Sequence, residues 1–347
     1  MTFADLRHRA GPEFARLILQ FPDGVLRTLA GSPPPAAAAL DPQSWALARL
    51  SDLAASADPP SDLESRRQHE VRSAVMGRSP ETPVASEDLT AGGVPSRLYL
   101  PQAAAASSPL LVFFHGGGWM QGSLQSYDAA CRTVADRAGI RVLSVAYRLA
   151  PEHVFPAAFD DCLAAYLQVA EHPESFGARP GEIAVGGDSA GGNLAAAVAL
   201  HVRDAGLPVP AFQWLLYPVC DVPDRHESYR TYADGFYLGA ERMRYLFERY
   251  VPDPAQREDL RVSPGQAADL SGLPAAFVAT SLADPLRDEA EAYARRLEQA
   301  GVAVELRREP LLHGFLNTTA LSSGRAGALR AADGLRRGLV GAAAGPG

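Results

Sequence analysis

Ser189 stands in the run Gly187-Asp188-Ser189-Ala190-Gly191, after the apolar segment Ile183-Ala184-Val185 and before an alanine-rich, helix-forming stretch from Asn193 to His201. G-x-S-x-G at a strand-to-helix junction presents a serine hydroxyl on a sharp turn, where it can serve as a nucleophile. Flanking glycines leave room for the strained serine backbone. The helix start points free N–H groups and a positive dipole end at any negative charge that develops beside the serine. A phosphate-cradling loop is the nearest rival, because Gly187 and Gly192 have its spacing, yet Asn193 occupies the lysine position. The chain contains no lysine at all: its 32 basic residues are arginine. A phosphate-loop lysine, a Schiff-base lysine and Ser-Lys chemistry are excluded together.

A serine hydroxyl needs an imidazole within hydrogen-bond reach, itself oriented by a carboxylate. For a serine on this kind of elbow the acid and then the histidine follow in chain order. His201, His226 and His313 are the histidines after Ser189. His201 falls about three turns along the elbow helix, too far to turn back. His226 leaves no acid-bearing strand end between itself and the serine. His313 lies in Leu312-His313-Gly314-Phe315, after a strand expected at Val302 to Leu306, and Gly314 permits a turn that exposes the ring. The acid should follow the preceding strand, Ala276 to Thr280. Asp284, before Pro285, fits that loop, with a helix N-cap as its alternative role; Asp288 and Glu289 fall in the next helix, where they complement its positive end.

A second feature is His115-Gly116-Gly117-Gly118-Trp119, directly after the apolar run Leu110 to Phe114. Three consecutive glycines expose backbone N–H groups that can be aimed at an anion. The run is no dinucleotide fingerprint, because the sixth position is Gln121. By itself it reads as a tight turn; with a serine elbow downstream it becomes an oxyanion loop.

The elements that must position these residues follow a recognisable order. Residues 3 to 80 read as helices, with Phe14, Leu17, Ile18, Phe21, Val25, Leu26 and Leu29 on one apolar face, a break at Pro33 to Pro35, an Asp41 N-cap before a second helix, and a third helix from Asp62 to Val75. Residues 84 to 89 and 94 to 100 predict an antiparallel hairpin through Gly92-Gly93. Thereafter buried strands alternate with helices, which predicts an α/β fold with a doubly wound, mostly parallel sheet. The alternation lapses between 219 and 260, a polar, Tyr- and Arg-rich insertion with one amphipathic helix carrying Met243, Leu246, Phe247 and Tyr250. A terminal helix is expected from about Ala326 to Leu339, followed by a mobile Gly/Ala tail over 341–347.

Composition bounds the answer. The 347 residues suit one large core with an accessory piece, or two domains. A formal charge of −8 leaves no electrostatic footprint for nucleic acid and no dense arginine patch for a membrane. Cys131, Cys162 and Cys220 have no metal-like spacing and are expected as buried, reduced thiols. Arg7 and Arg9 are followed by Pro12, Glu13 and Arg16, so no signal-peptide core forms, and no apolar run reaches the ~20 residues that span a bilayer. A cytoplasmic protein is the expectation.

The chain resembles the hormone-sensitive-lipase-like branch of the α/β-hydrolase family, the bacterial esterases with a Gly-Asp-Ser-Ala-Gly-Gly motif. The resemblance is carried by His115 to Trp119, Tyr147 to Glu152 with Phe155-Pro156-Ala157 and Asp160-Asp161, Gly187 to Leu194, Tyr217-Pro218, Asp284 to Glu289, and His313-Gly314-Phe315, and more weakly by Gly235 to Leu238 and Asp269 to Pro274. It covers about residues 80 to 320; Leu311-Leu312 stands where such proteins often carry Met and Ile. It implies an α/β-hydrolase fold, a mostly parallel central sheet with helices on both faces and a helical cap. The implied divisions are an N-terminal cap segment over 1–80, a catalytic core over 81–218 and 261–340, and a cap insertion over 219–260. It implies Ser189, Asp284 and His313 as nucleophile, orienting acid and base, in agreement with the elimination above. The backbone N–H groups of Gly117, Gly118 and Ala190 are implied as the oxyanion hole. His115 is implied to brace the glycine loop, and Glu152 with Arg148 to form a supporting network.

On this basis the expected activity is serine carboxylester hydrolysis of small or short-to-medium acyl esters through an acyl-enzyme, without metal or organic cofactor. Trp119, Phe236 and Tyr237 are expected as pocket walls, with ordinary core packing as the alternative. A small-molecule ester is the expected partner, and a homodimer stays open. An amidase, carbamate hydrolase or acyltransferase on the same triad is the second reading. A non-catalytic receptor is the third, and the retained triad argues against it.

Overall fold

The computed structural model describes residues 12–54 and 60–343. Its N-terminal part is helical: α1 (Pro12–Ile18), α2 (Asp23–Ala30), α3 (Pro42–Ala54) and α4 (Asp62–Met76). Asp41 Oδ1 accepts the Ser44 N–H at 3.1 Å, the cap expected before α3. The single apolar face expected across residues 14 to 29 does not form. Pro22 divides the segment into two short helices, which bury Ile18 and Leu26 while leaving Leu17, Phe21 and Val25 exposed.

The sheet begins with the hairpin β1 (Val84–Ala91) and β2 (Val94–Pro101), turning at Gly92-Gly93, both with positive φ. It continues with β3 (Ser108–Phe114), β4 (Arg141–Val145), β5 (Ala178–Asp188), β6 (Phe212–Leu216), β7 (Ala276–Ala283) and β8 (Val304–Leu312). The eight strands lie in the order β1-β2-β4-β3-β5-β6-β7-β8. The β1–β2 and β2–β4 pairs are antiparallel, and the rest of the sheet is parallel. The apolar runs predicted as buried strands take the central places, β3 and β6 being buried at every residue, because a parallel sheet is covered on both faces.

One face carries α5 (Asp128–Ala138) and α11 (Ser322–Ala343). The other carries α6 (Ala157–Glu171), α7 (Ala190–Asp204) and α10 (Arg287–Gln299). Between β6 and β7 the chain leaves the alternation for α8 (Ser228–Thr231) and α9 (Ala240–Tyr250), and it does not rejoin the sheet until Ala276. The apolar face expected on α9 is buried at Met243, Leu246, Phe247 and Tyr250. Helix α11 is longer than expected and takes in residues 341–343; the rest of the proposed tail, 344–347, lies outside the described residues.

The largest departure from expectation is β8. Its polar run Glu305, Arg307, Arg308, Glu309 and Pro310 does not look like a strand, and the sequence places the strand end at Leu306. As the terminal strand, β8 pairs with β7 alone and keeps Glu305 to Arg308 exposed, so charges and a proline without an N–H are tolerated there. It therefore runs to Leu312 and delivers His313 directly from a strand end.

All three cysteines are free and buried, as expected, and burial raises each thiol pKa. Among the described residues no helix is long and apolar enough to cross a membrane.

Candidate active site

The elbow is built by backbone constraint. Strand β5 ends at Asp188, helix α7 starts at Ala190, and Ser189 between them is held at φ 54°, ψ −121°. A non-glycine residue at such a φ is strained and persists because its surroundings impose it. The Ser189 N–H donates to the Leu216 carbonyl of β6 at 2.8 Å, and its own carbonyl accepts the Asn193 N–H of α7 at 3.0 Å. The glycines allow close approach: a Cβ on Gly191 would stand 2.6 Å from the His115 carbonyl oxygen and closer still to that of Phe114.

Three side chains converge there. With its proton on Nδ1, His313 donates to Asp284 Oδ2 at 2.7 Å, leaving Nε2 to accept the Ser189 hydroxyl at 2.9 Å. Asp284 is fully buried, and its other oxygen accepts the Leu286 N–H at 2.9 Å, so the carboxylate is fixed from both sides. Ser189 and His313 keep 6% and 9% of their surface, which leaves a narrow approach to an otherwise buried site. Tyr217 packs its ring 4.7 Å from that of His313, and its hydroxyl accepts the Leu316 N–H.

The glycine loop lies against this elbow. Gly117 and Gly118 have φ of 115° and 61°, and among the described residues no acceptor takes the N–H of Gly117, Gly118 or Ala190. A Cβ on Gly117 would run into the Gln121 backbone, and one on Gly118 would meet Leu246 Cδ1 at 2.5 Å. Glycine is thus required for the turn itself and for the approach of α9 over it. His115 braces the loop from beneath: its Nδ1–H donates to the Gly116 carbonyl at 2.8 Å, and its ring stacks on Tyr147 at 4.3 Å. Burial draws its pKa down to about 4, so it is a neutral support.

Comparison with known proteins identifies the family of this chain. The profile of a family described as alpha/beta hydrolase fold matches residues 111–317. Carboxylic ester hydrolase LipN of Mycobacterium tuberculosis is 47% identical over 243 residues, 68% of this chain and 64% of that relative, so the match spans less than two thirds of LipN. Ethyl acetate hydrolase of Pseudomonas putida is 39% identical over 262 residues, 73% of this chain and 82% of the relative. Among solved structures, ester hydrolase EH1AB1 from the metagenome of Lake Arreo aligns with a TM-score of 0.79 at 38% identity, covering 86% of this chain and 98% of that one. The chain belongs to the hormone-sensitive-lipase-like branch of the α/β-hydrolase family.

Other residues of this α/β-hydrolase are arranged differently from expectation. Glu152 does not pair with Arg148, which instead grips Asp161. Its partner is Arg66 of α4, whose guanidinium donates to both Glu152 oxygens, at 2.9 and 2.5 Å. Arg66 also donates to the carbonyls of Met120 and Ala150. It holds the Glu152 carboxyl down at about 2. One arginine thereby ties α4 to the end of the glycine loop. Sequence reasoning missed it because nothing local separates Arg66 from the other arginines.

Trp119 and Phe236, expected as pocket walls or as ordinary core, are both buried. Trp119 is fully buried and stacks on Tyr250 at 4.5 Å, and Phe236 packs against Trp45 and Tyr232. Tyr237 is half-buried, and its Cε1 lies 3.8 Å from where a Cβ on Gly314, the residue after His313, would be.

Asp188 had no role in the sequence reading, although it sits inside the motif. Its buried carboxylate bridges elbow and loop, accepting the Gly116 N–H at 2.8 Å and the Tyr127 hydroxyl at 3.0 Å. Burial pushes its pKa up to about 6 against the pull of those donors. A native pKa raised from 3.8 to about 6 means that the folded state binds more protons than the unfolded one between those values. Stability from this group therefore falls as pH rises through that window and stays lost above it. Asp188→Asn keeps an oxygen for Gly116 and never ionises. Between pH 4 and 7 its stability should gain on that of the native protein by on the order of 3 kcal/mol, seen as a thermal midpoint that rises relative to the native one. Parallel pH profiles of the two midpoints would refute the assignment.

Proposed function

We propose that this protein is a serine carboxylesterase acting on small or short-to-medium acyl esters. The observation that carries the reading is the hydrogen-bonded series Ser189, His313 and Asp284 at a strained elbow beside unpaired loop N–H groups. His313 Nε2 takes the Ser189 proton as Oγ attacks the ester carbonyl. The carbonyl oxygen, now negative, receives the N–H groups of Gly117, Gly118 and Ala190, and Asp284 steadies the imidazolium. Collapse of the tetrahedral adduct breaks the bond to the alkoxy oxygen, which leaves as the alcohol with the proton from His313. Water then gives its proton to His313 and attacks the acyl group, and Ser189 is restored as the acid departs.

The N-terminal helices and the segment carrying α8 and α9 serve as a cap. Ser228 of α8 donates to the Pro285 carbonyl beside Asp284, and Leu246 of α9 lies over Gly118. The small remaining exposure of Ser189 under this cover supports short acyl chains. So does the resemblance to an ethyl acetate hydrolase.

A series of nitrophenyl esters tests the reading: turnover should peak at acyl chains of about two to six carbons and fall by ~10-fold or more for long ones. Folded protein that releases no nitrophenol from any member would exclude it.

A further inference from the structure

Tyr217 takes no part in the bond-making steps of ester hydrolysis, yet it stands where the segments of the site meet. It follows β6 and is held at φ 36°, a costly backbone for an aromatic residue. Its neighbours impose that conformation. Ser189 donates its N–H to the Leu216 carbonyl at 2.8 Å, and the Ser189 carbonyl accepts the Val219 N–H at 3.3 Å, so the chain is stapled to the elbow on either side of Tyr217. The Tyr217 N–H itself donates to the Ala279 carbonyl of β7.

The side chain is buried and reaches from this staple to the turn that carries His313. Its ring centre lies 4.7 Å from that of His313, inclined at 59°, and 4.9 Å from that of Phe315, nearly edge-on at 75°. Its hydroxyl accepts the Leu316 N–H at 3.2 Å and is close enough to Asp188 to draw on that carboxyl's pKa in the downward direction. One residue therefore joins the backbone of Ser189 to the segment of His313, 124 residues further along the chain.

The hydrogen bonds of His313 leave one freedom unrestrained. Nδ1 is held by Asp284 and Nε2 by Ser189, and the imidazole can still tilt about the line through them. The ring of Tyr217 blocks that tilt on one side. The restraint matters because Nε2 takes a proton from Ser189 Oγ and gives it to a different oxygen, that of the leaving alcohol, so it has to stay aimed between the two.

We infer that Tyr217 is a positioning residue for the base: its ring sets the plane of the His313 imidazole, and its hydroxyl anchors the turn that follows. This rests on the serine-esterase reading and adds a residue to that site.

The test compares Tyr217→Met and Tyr217→Phe with the native protein, by kcat and KM on a short nitrophenyl ester and by the proton resonance of His313 Nδ1–H, which a buried 2.7 Å bond to a carboxylate carries far downfield. Tyr217→Met loses the ring. Its kcat should fall ~10²-fold with KM within about twofold of native, and the downfield resonance should broaden or vanish. Tyr217→Phe keeps the ring and loses the hydroxyl. Its kcat should stay within about fivefold of native, with the resonance present and a lower thermal midpoint, because the buried Leu316 N–H has lost its acceptor. Where methionine prevents folding, Phe315→Leu removes the other ring packed on Tyr217 and should lower kcat ~10-fold, again with KM unchanged. A folded methionine or leucine variant with native kcat, a loss confined to KM, or a Tyr217→Phe as slow as Tyr217→Met overturns the inference. Native protein that turns over no ester, with a downfield resonance that disappears in Tyr217→Met, leaves the positioning standing and the esterase reading fallen. Native turnover, with kcat and resonance both retained in Tyr217→Met, does the reverse.

Discussion

Ser189→Ala is expected to lower kcat/KM for a short nitrophenyl ester by on the order of 10⁴- to 10⁶-fold, with the fold intact. Alanine removes only Oγ, and the elbow geometry is imposed by the Leu216 and Asn193 hydrogen bonds to the backbone of residue 189. His313→Ala should cost a comparable factor, because an unassisted hydroxyl is a weak nucleophile. The double variant should be little worse than either single one, since the two groups act as a unit. Asp284→Asn is the sharper probe of the acid. It keeps an oxygen for the Leu286 N–H but can turn an amide N–H toward His313 Nδ1, favouring the wrong tautomer, and ~10⁴-fold in kcat is the expected loss. Steady-state kinetics on purified, folded variants decide the matter. Multiplicative losses in Ser189→Ala/His313→Ala would mean that the two side chains act independently and that the hydrogen bond between them is incidental.

Gly191→Ala is expected to be equally severe for a different reason. Its Cβ would point at the carbonyls of Phe114 and His115, backbone atoms at the end of β3 that cannot rotate away as a side chain could. Either the first turn of α7 or the glycine loop must move. The expected cost is about 3 kcal/mol or more in stability, with kcat reduced ~10²- to 10³-fold as the loop N–H groups leave the oxyanion position. Gly24→Ala provides the contrast. In α2 a Cβ on Gly24 meets nothing within 4 Å, so the substitution should be neutral or slightly stabilising. Urea midpoints together with kcat on a short ester measure both effects. Native-like values for Gly191→Ala would show that the contact between loop and elbow carries no constraint.

The sequence by itself determined the features whose causes are local. A serine between glycines at the end of a β-branched run can only be a tight strand-to-helix turn. Three consecutive glycines after Phe114 make a turn with exposed backbone N–H groups. Apolar runs such as Leu110 to Phe114 and Phe212 to Leu216 have no stable place except in a covered sheet. The order Ser189, Asp284, His313 followed by elimination among few candidates. Tertiary structure decided everything that depends on which side chains meet. Glu152 had Arg148 four residues away and chose Arg66, 86 residues away, because α4 brings that guanidinium within reach of Met120 and Ala150 as well. Strand β8 extended through charged residues because its position at the sheet edge leaves Glu305, Arg307 and Arg308 in water, while buried Glu309 pairs with Arg330 of α11. Of three aromatics that sequence could not tell apart, Trp119 and Phe236 are buried, while Tyr237 stays half-buried beside Gly314. Backbone geometry is dictated by neighbours in the chain, whereas a charge or a ring takes its role from neighbours in space.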